Sequence, residues 1–149
     1  MKKTVRVFVH SAQQYDDYAD QITTNSIGEY TSARNMHTIT YAEKIEGNNL
    51  VNNVLTLSKD GATLERTGAV TAQMSFTLGK TTDSEYTNGY GTLNFKISTM
   101  RYDALIEDNK ITVHLLYELH HNGQKVSRNT LQISIDILPK DYQQIAGDK

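Results

Sequence analysis

Apolar and polar residues alternate with a period of two along most of the chain, the pattern of strands that bury one face and wet the other. Val70, Ala72, Met74, Phe76 and Leu78 fall on one face, with Thr71, Gln73, Ser75 and Thr77 opposite. Leu93, Phe95 and Ile97 alternate against Asn94 and Lys96, and Ile111, Val113, Leu115, Tyr117 and Leu119 alternate against Thr112, His114 and Glu118. Near the end, Leu131, Ile133, Ile135 and Ile137 oppose Gln132, Ser134 and Asp136, until Pro139 stops the ladder for want of an N–H. Val5, Val7 and Val9 mark a first strand. Helical periodicity is nearly absent: residues 13–20, with Tyr15 and Tyr18 at helical spacing, read as a loop or one helical turn.

Turn signals separate these runs: Glu46-Gly47-Asn48, Lys59-Asp60-Gly61, Asn88-Gly89, Asp108-Asn109 and Asn122-Gly123. Asn-Gly and Asp-Gly supply the positive φ that tight hairpins need. Turns about a dozen residues apart describe a meander of consecutive hairpins, and closing such a sheet removes its exposed edges. The expected fold is therefore all-β, an antiparallel closed or nearly closed up-and-down barrel. A two-sheet sandwich is the alternative, because pattern alone does not separate a closed sheet from two facing ones. The 149 residues form one domain, with 140–149 as a polar tail and no repeat or linker.

Composition narrows the function. A net charge of −2 with no dense basic stripe argues against nucleic acid as a partner. No apolar run reaches membrane-spanning length, so no membrane is expected. Cysteine is absent, which removes thiolate chemistry, disulfides and cysteine-ligated zinc. No seven-residue apolar stretch follows Lys2 and Lys3, so the start reads as a strand rather than a signal peptide, and a cytoplasmic protein is expected.

Among residues that carry chemistry, Arg66 stands first. It shares parity with Ala62 and Leu64, which places a guanidinium inside the barrel, where it needs a carboxylate or several acceptors. Glu43, on the face of Ile39 and Tyr41, is the expected partner, and Tyr117 joins from another inward face. Glu65, of opposite parity to Arg66, points outside. The plain reading is a structural ion pair that fixes register; the sharper one is an anchor for an anionic head group. Tyr86 and Tyr90 flank the Asn88-Gly89 turn, where tyrosine rims a ligand entrance, packs its ring, or anchors a subunit contact. His114 and His120 share a strand face with Glu118, and His121 follows, but the two outer imidazoles are about 20 Å apart along an extended strand. They read as exposed histidines, with no metal and no cofactor. No nucleophile elbow, phosphate-binding glycine loop or His-Glu-x-x-His occurs.

The run Leu64-Glu65-Arg66-Thr67-Gly68-Ala69-Val70-Thr71-Ala72-Gln73-Met74-Ser75-Phe76 resembles the signature of the YwiB-like family of uncharacterised bacterial proteins. Tyr41-Ala42-Glu43, Thr87, Tyr90-Gly91-Thr92-Leu93, Thr99, Tyr117-Glu118-Leu119, Asn122-Gly123 and Asn129-Thr130-Leu131-Gln132-Ile133 continue the likeness. The chain departs from the family where Thr87-Asn88-Gly89-Tyr90-Gly91 stands for Thr-Pro-Tyr-Gly, and near Asn52-Asn53, where the family is threonine-rich. The resemblance implies a calycin-type, lipocalin-like barrel and brings no activity, cofactor or substrate with it.

Three readings of function follow. The first is a non-enzymatic barrel that binds a small lipophilic or anionic ligand in its interior, with Arg66, Glu43, Tyr41, Tyr117, Tyr86 and Tyr90 as binding residues. The second is an interaction or structural module whose barrel is filled by its own side chains, with a homodimer formed through a strand edge or a tyrosine-rich face. The third is an enzyme acting on a small lipophilic or phosphorylated compound.

Overall fold

The computed structural model describes residues 2–45 and 47–139. The tail at 140–149 and Glu46 of the first turn signal lie outside them. Ten strands and no helix make up the described chain: β1 (Lys3–Gln14), β2 (Ala19–Ala33), β3 (Met36–Lys44), β4 (Leu50–Leu57), β5 (Gly61–Gly68), β6 (Thr71–Thr77), β7 (Thr81–Asn88), β8 (Gly91–Ile106), β9 (Lys110–His121) and β10 (Gln124–Ile137). Each strand pairs antiparallel with the next, and β1 pairs with β10 from Val5↔Ile137 to Gln14↔Arg128, so the meander closes into a barrel. The two-sheet alternative is thereby excluded.

The alternation reads directly as inside and outside. Val5, Val7, Ile39, Leu55, Leu57, Ile111, Val113, Ile133 and Ile135 are fully buried on the inward faces. Each such side chain contributes roughly 1.5–3 kcal/mol on burial. Arg6, Glu29, Glu65, Glu85, Lys96 and Asp136 are exposed on the outer wall. Phe8 and Ile27 are exposed on the same wall. Among the described residues no helix is long and apolar enough to cross a membrane.

The alternation fails where geometry intervenes. Leu78 lies beyond the end of β6, in the turn to β7, and is 52% exposed rather than inward; Val70 precedes β6 but is buried. Within residues 13–20 the loop is confined to 15–18 and there is no helical turn: β1 runs to Gln14, β2 begins at Ala19, and Tyr15 N–H donates to Tyr18 C=O across a tight turn. Extra residues at Met100 in β8 and Val126 in β10 bulge the ladder and reverse the parity beyond them. The β2–β3 turn is made by Arg34 and Asn35, both at positive φ, which is the two-residue geometry that Asn122 and Gly123 form between β9 and β10.

One seam of the wall is thin. Between β6 and β7 only Thr71↔Thr87 and Ala72↔Tyr86 pair through the backbone. Beyond them the Ser84 hydroxyl donates to Gln73 C=O at 3.0 Å and the Thr82 hydroxyl to Ser75 C=O at 2.6 Å. Side chains thus satisfy carbonyls that the ladder leaves open.

The up-and-down course puts the start of β1, the end of β10 and the even-numbered turns at one end, called proximal here, and the β1–β2, β3–β4, β5–β6, β7–β8 and β9–β10 turns at the distal end. The apolar core packs the proximal half. The distal half contains the candidate site.

Candidate functional site

A cavity of about 480 Å³ opens at the distal end. Its walls are largely apolar, from Val9 on β1, Ile22 on β2, Leu64 on β5, Met74 and Phe76 on β6 and Leu131 on β10. Ten strands enclose a wider interior than the eight whose own side chains fill a barrel, and the inward face of β2 is small and polar (Thr24, Ser26, Gly28). Space is left for that reason. Gly28 also allows β2 to press on β3: a Cβ there would stand 2.3 Å from Thr40 C=O and 3.0 Å from the Tyr41 Cβ. Tyr41 takes its place in the wall against that bare backbone.

Glu43, at the end of β3, accepts from the Thr24 hydroxyl at 2.5 Å through Oε2 and from Asn53 Nδ2 at 2.9 Å through Oε1. Arg66 on β5 donates through Nε to Asn53 Oδ1 at 3.1 Å, and its Nη2 is 3.5 Å from Glu43 Oε1. The Glu43 side chain is 10% exposed and that of Arg66 24%. Asn53 is a buried bridge between the two charges. Its signal was present in the sequence, because a polar side chain shares parity with Val51 and Leu55. Thr24 gave no such signal, since the inward face of β2 has no apolar run to stand out from.

Tyr41 and Tyr117 line the same cavity, and the Tyr117 ring packs at a tilt on Phe76 with centroids 4.8 Å apart. Burial drives both phenols toward the neutral form. It raises Tyr41 above the usual phenol range, with Glu43 raising it further and the Arg66 charge opposing. Tyr117 is pushed up to about 12 by burial, against the lowering effect of Arg66 and with a further rise from Tyr15 at the β1–β2 turn. Tyr15 stacks on Tyr18 there at 4.5 Å.

Other hollows are of a different kind. The outer wall over β6, β7 and β8 has an open groove of about 710 Å³, walled by Gln73, Asp83, Glu85, Asn94 and Lys96. It is larger than the interior cavity, but its charges are solvated, and Lys96 is paired with Asp83 at 2.7 Å. The buried charge pair and convergent phenols are confined to the barrel interior, which is why that cavity is the candidate.

A family profile described as a domain of unknown function, DUF1934, matches residues 7–133. The chain belongs to this family. The crystal structure of the YwiB protein from Bacillus subtilis is similar in fold to this DUF1934 barrel, with a TM-score of 0.82 at 20% identity over 93% of this chain and 94% of that one. The YwiB-like resemblance of the sequence therefore holds. The Ail attachment invasion locus protein of Yersinia pestis aligns over 91% of this chain and 96% of its own at 7% identity, with a TM-score of 0.35 that is too low to relate the folds. No curated protein sequence matches.

Within this DUF1934 barrel, four of the six residues named as binding residues come together: Arg66, Glu43, Tyr41 and Tyr117 all line the cavity. Tyr86 and Tyr90 do not. Tyr86 is half-buried on β7 opposite Ala72, while Tyr90 is fully exposed at the β7–β8 turn, where its N–H bonds the Asn88 side chain. On the outer wall, Glu118 is held by Arg128 at 3.0 Å and stands 3.4 Å from His120. The hydrogen bond from Arg128 is the main cause that lowers the Glu118 pKa below the usual carboxylate range. Among the described residues no three His, Asp or Glu side chains are grouped to share an ion.

Proposed function

We propose that this protein is a non-enzymatic, intracellular binding barrel that takes one small amphiphilic molecule into its distal half. The observation that carries the reading is the cavity of about 480 Å³, apolar over most of its wall and with a buried Arg66–Asn53–Glu43 cluster at one side. Its volume lies within the range of about 300–1,000 Å³ that small-molecule sites occupy, and its make-up of apolar lining with a few convergent polar groups is theirs as well. Calycin-type carriers are the architectural analogue, an argument from fold alone.

The test is native mass spectrometry on gently purified protein. A stoichiometric adduct of small mass, released by denaturation and lost in Arg66→Met, supports the binding barrel. A clean apo mass after exposure to cell extract sinks it. That result would favour the second reading, an interaction module, for which the support is the self-filled proximal half together with exposed Tyr90 and Leu93 on the β7–β8 hairpin. Closure leaves that module no free strand edge for a homodimer, so the hairpin face would have to serve.

A further inference from the structure

The hydrogen-bond inventory of the cavity, which rests on the binding reading above, specifies the ligand further. Glu43 is the charged acceptor there, and its two oxygens are already engaged by Thr24, Asn53 and Arg66. Neutral Gln13 and Ser11 also line the cavity and hydrogen-bond each other at 2.6 Å, and the charged groups that remain open are donors. Arg66 has five N–H donors in a fixed fork, of which Nε is hydrogen-bonded and Nη2 faces Glu43 at 3.5 Å. The Tyr41 and Tyr117 hydroxyls, in side chains only 6% and 7% exposed, have no hydrogen-bond partner among the described residues. A buried phenol ordinarily finds a partner. Tyr30, equally buried, shares a 2.7 Å bond with His37, and the partly buried Tyr102 donates to Ser58 C=O at 2.7 Å.

We infer that the ligand is a monocarboxylate with an apolar tail, its head group accepting from Arg66, Tyr41 and Tyr117, and that Glu43 is the support of Arg66 rather than a contact for the ligand. A carboxylate is acceptor-only and offers about four lone-pair directions, enough for all three donors. A cationic head would meet a guanidinium that cannot be deprotonated. An alcohol would satisfy fewer donors. A doubly charged phosphate would bring a second negative charge against Glu43, which one charge does not. The influence of the Arg66 charge on both phenols agrees with the three groups facing one space.

The experiment is isothermal titration calorimetry on the full chain with decanoate, decylamine and decanol, which share one tail. Decanoate is expected to bind best, and Tyr41→Phe and Tyr117→Phe, which delete only the hydroxyls, are each expected to weaken it roughly tenfold, with Arg66→Met weakening it more. Glu43→Gln keeps the shape of the support and removes a like charge, so decanoate should bind it at least as tightly. Equal binding of all three probes, no response to the two phenylalanine variants, or a Glu43→Gln loss as large as that of Arg66→Met overturns the carboxylate assignment while leaving an apolar binding cavity. Binding of none of the three overturns both. The phenylalanine variants keep the test sound if Arg66→Met proves unable to fold, and circular dichroism checks each variant.

Discussion

At the proximal end of the barrel, the Tyr30 and Tyr102 hydroxyls are tied to His37 and to Ser58 C=O, and the space between strands is filled by Ile39, Leu55, Leu57, Ile111 and Ile135. At the distal end, Tyr41 and Tyr117 are as deeply buried as Tyr30 and more so than Tyr102, yet their hydroxyls face a cavity with no protein partner among the described residues. The same wall and the same residue type thus serve opposite ends. Where the core is complete, polar tips are satisfied within the chain. Where it stops short, donors are left over, together with a charge pair held by its own bridge. Under the binding reading proposed above, the open end is the one that takes the ligand, because phenol hydroxyls that face a cavity are free to hydrogen-bond a guest.

The largest expected effect breaks or upholds that contrast directly. Leu55→Ala at the proximal end should cost about 3 kcal/mol or more in urea unfolding, the usual toll of a new void in a packed core. Leu64→Ala, opposite Leu55 on the neighbouring strand but lining the cavity, should cost less than half as much, because the space vacated joins a cavity that is already there. Equal losses would mean that the distal interior is packed in solution.

Alkaline titration separates the ends again. Tyr117 in the folded chain is held up to about 12, against an unfolded value of 10.0, and Tyr41 is raised as well. The folded state therefore binds more protons than the unfolded state above pH 10. Stability from these groups is fully present below pH 10 and is lost as pH rises toward 12, by roughly 2–3 kcal/mol for Tyr117. Tyr117→Phe should flatten that loss in pH-dependent denaturant melts; an unchanged slope would place the phenol in contact with water.

A smaller effect tests how the distal wall is built. Gly28→Ala drives a Cβ against Thr40 C=O, and overpacking of this kind costs about 1–3 kcal/mol. The shift should appear first in Tyr41 ring resonances, since Tyr41 is the cross-strand partner of Gly28. Smallest is the β6–β7 seam, where Ser84→Ala removes one hydroxyl bridge to Gln73 C=O, worth about 1 kcal/mol. The β6 and β7 amides should already exchange fastest among the strands by hydrogen–deuterium measurement, and faster still in this variant. Slow exchange there would show that the seam is as firm as the rest of the wall.

Much of the site is legible in the sequence. Arg66, Glu43, Tyr41 and Tyr117 were assembled by parity alone, because in a strand the side-chain period of two converts residue number into face. Tyr86 and Tyr90 were placed by nearness to a turn, and a turn tells which end of the barrel a residue occupies but not whether it points inward. The β2–β3 turn escaped notice since Arg34-Asn35 is not a usual turn pair, and β2 itself has a polar inner face that no hydrophobic pattern reveals.

By itself, the sequence determined that the chain folds as consecutive antiparallel strands, which residues face in on most of them, and that an arginine and a carboxylate share the interior. These are consequences of local periodicity and turn chemistry, which need no knowledge of distant neighbours. The tertiary structure decided that the sheet closes at ten strands, that the core fills one end and leaves the other open, and that Asn53 and Thr24 complete the Glu43 support. Closure, bulges and residual volume depend on how all strands meet at once, through pairings such as β1 with β10 that join the two ends of the chain, and no local pattern encodes them.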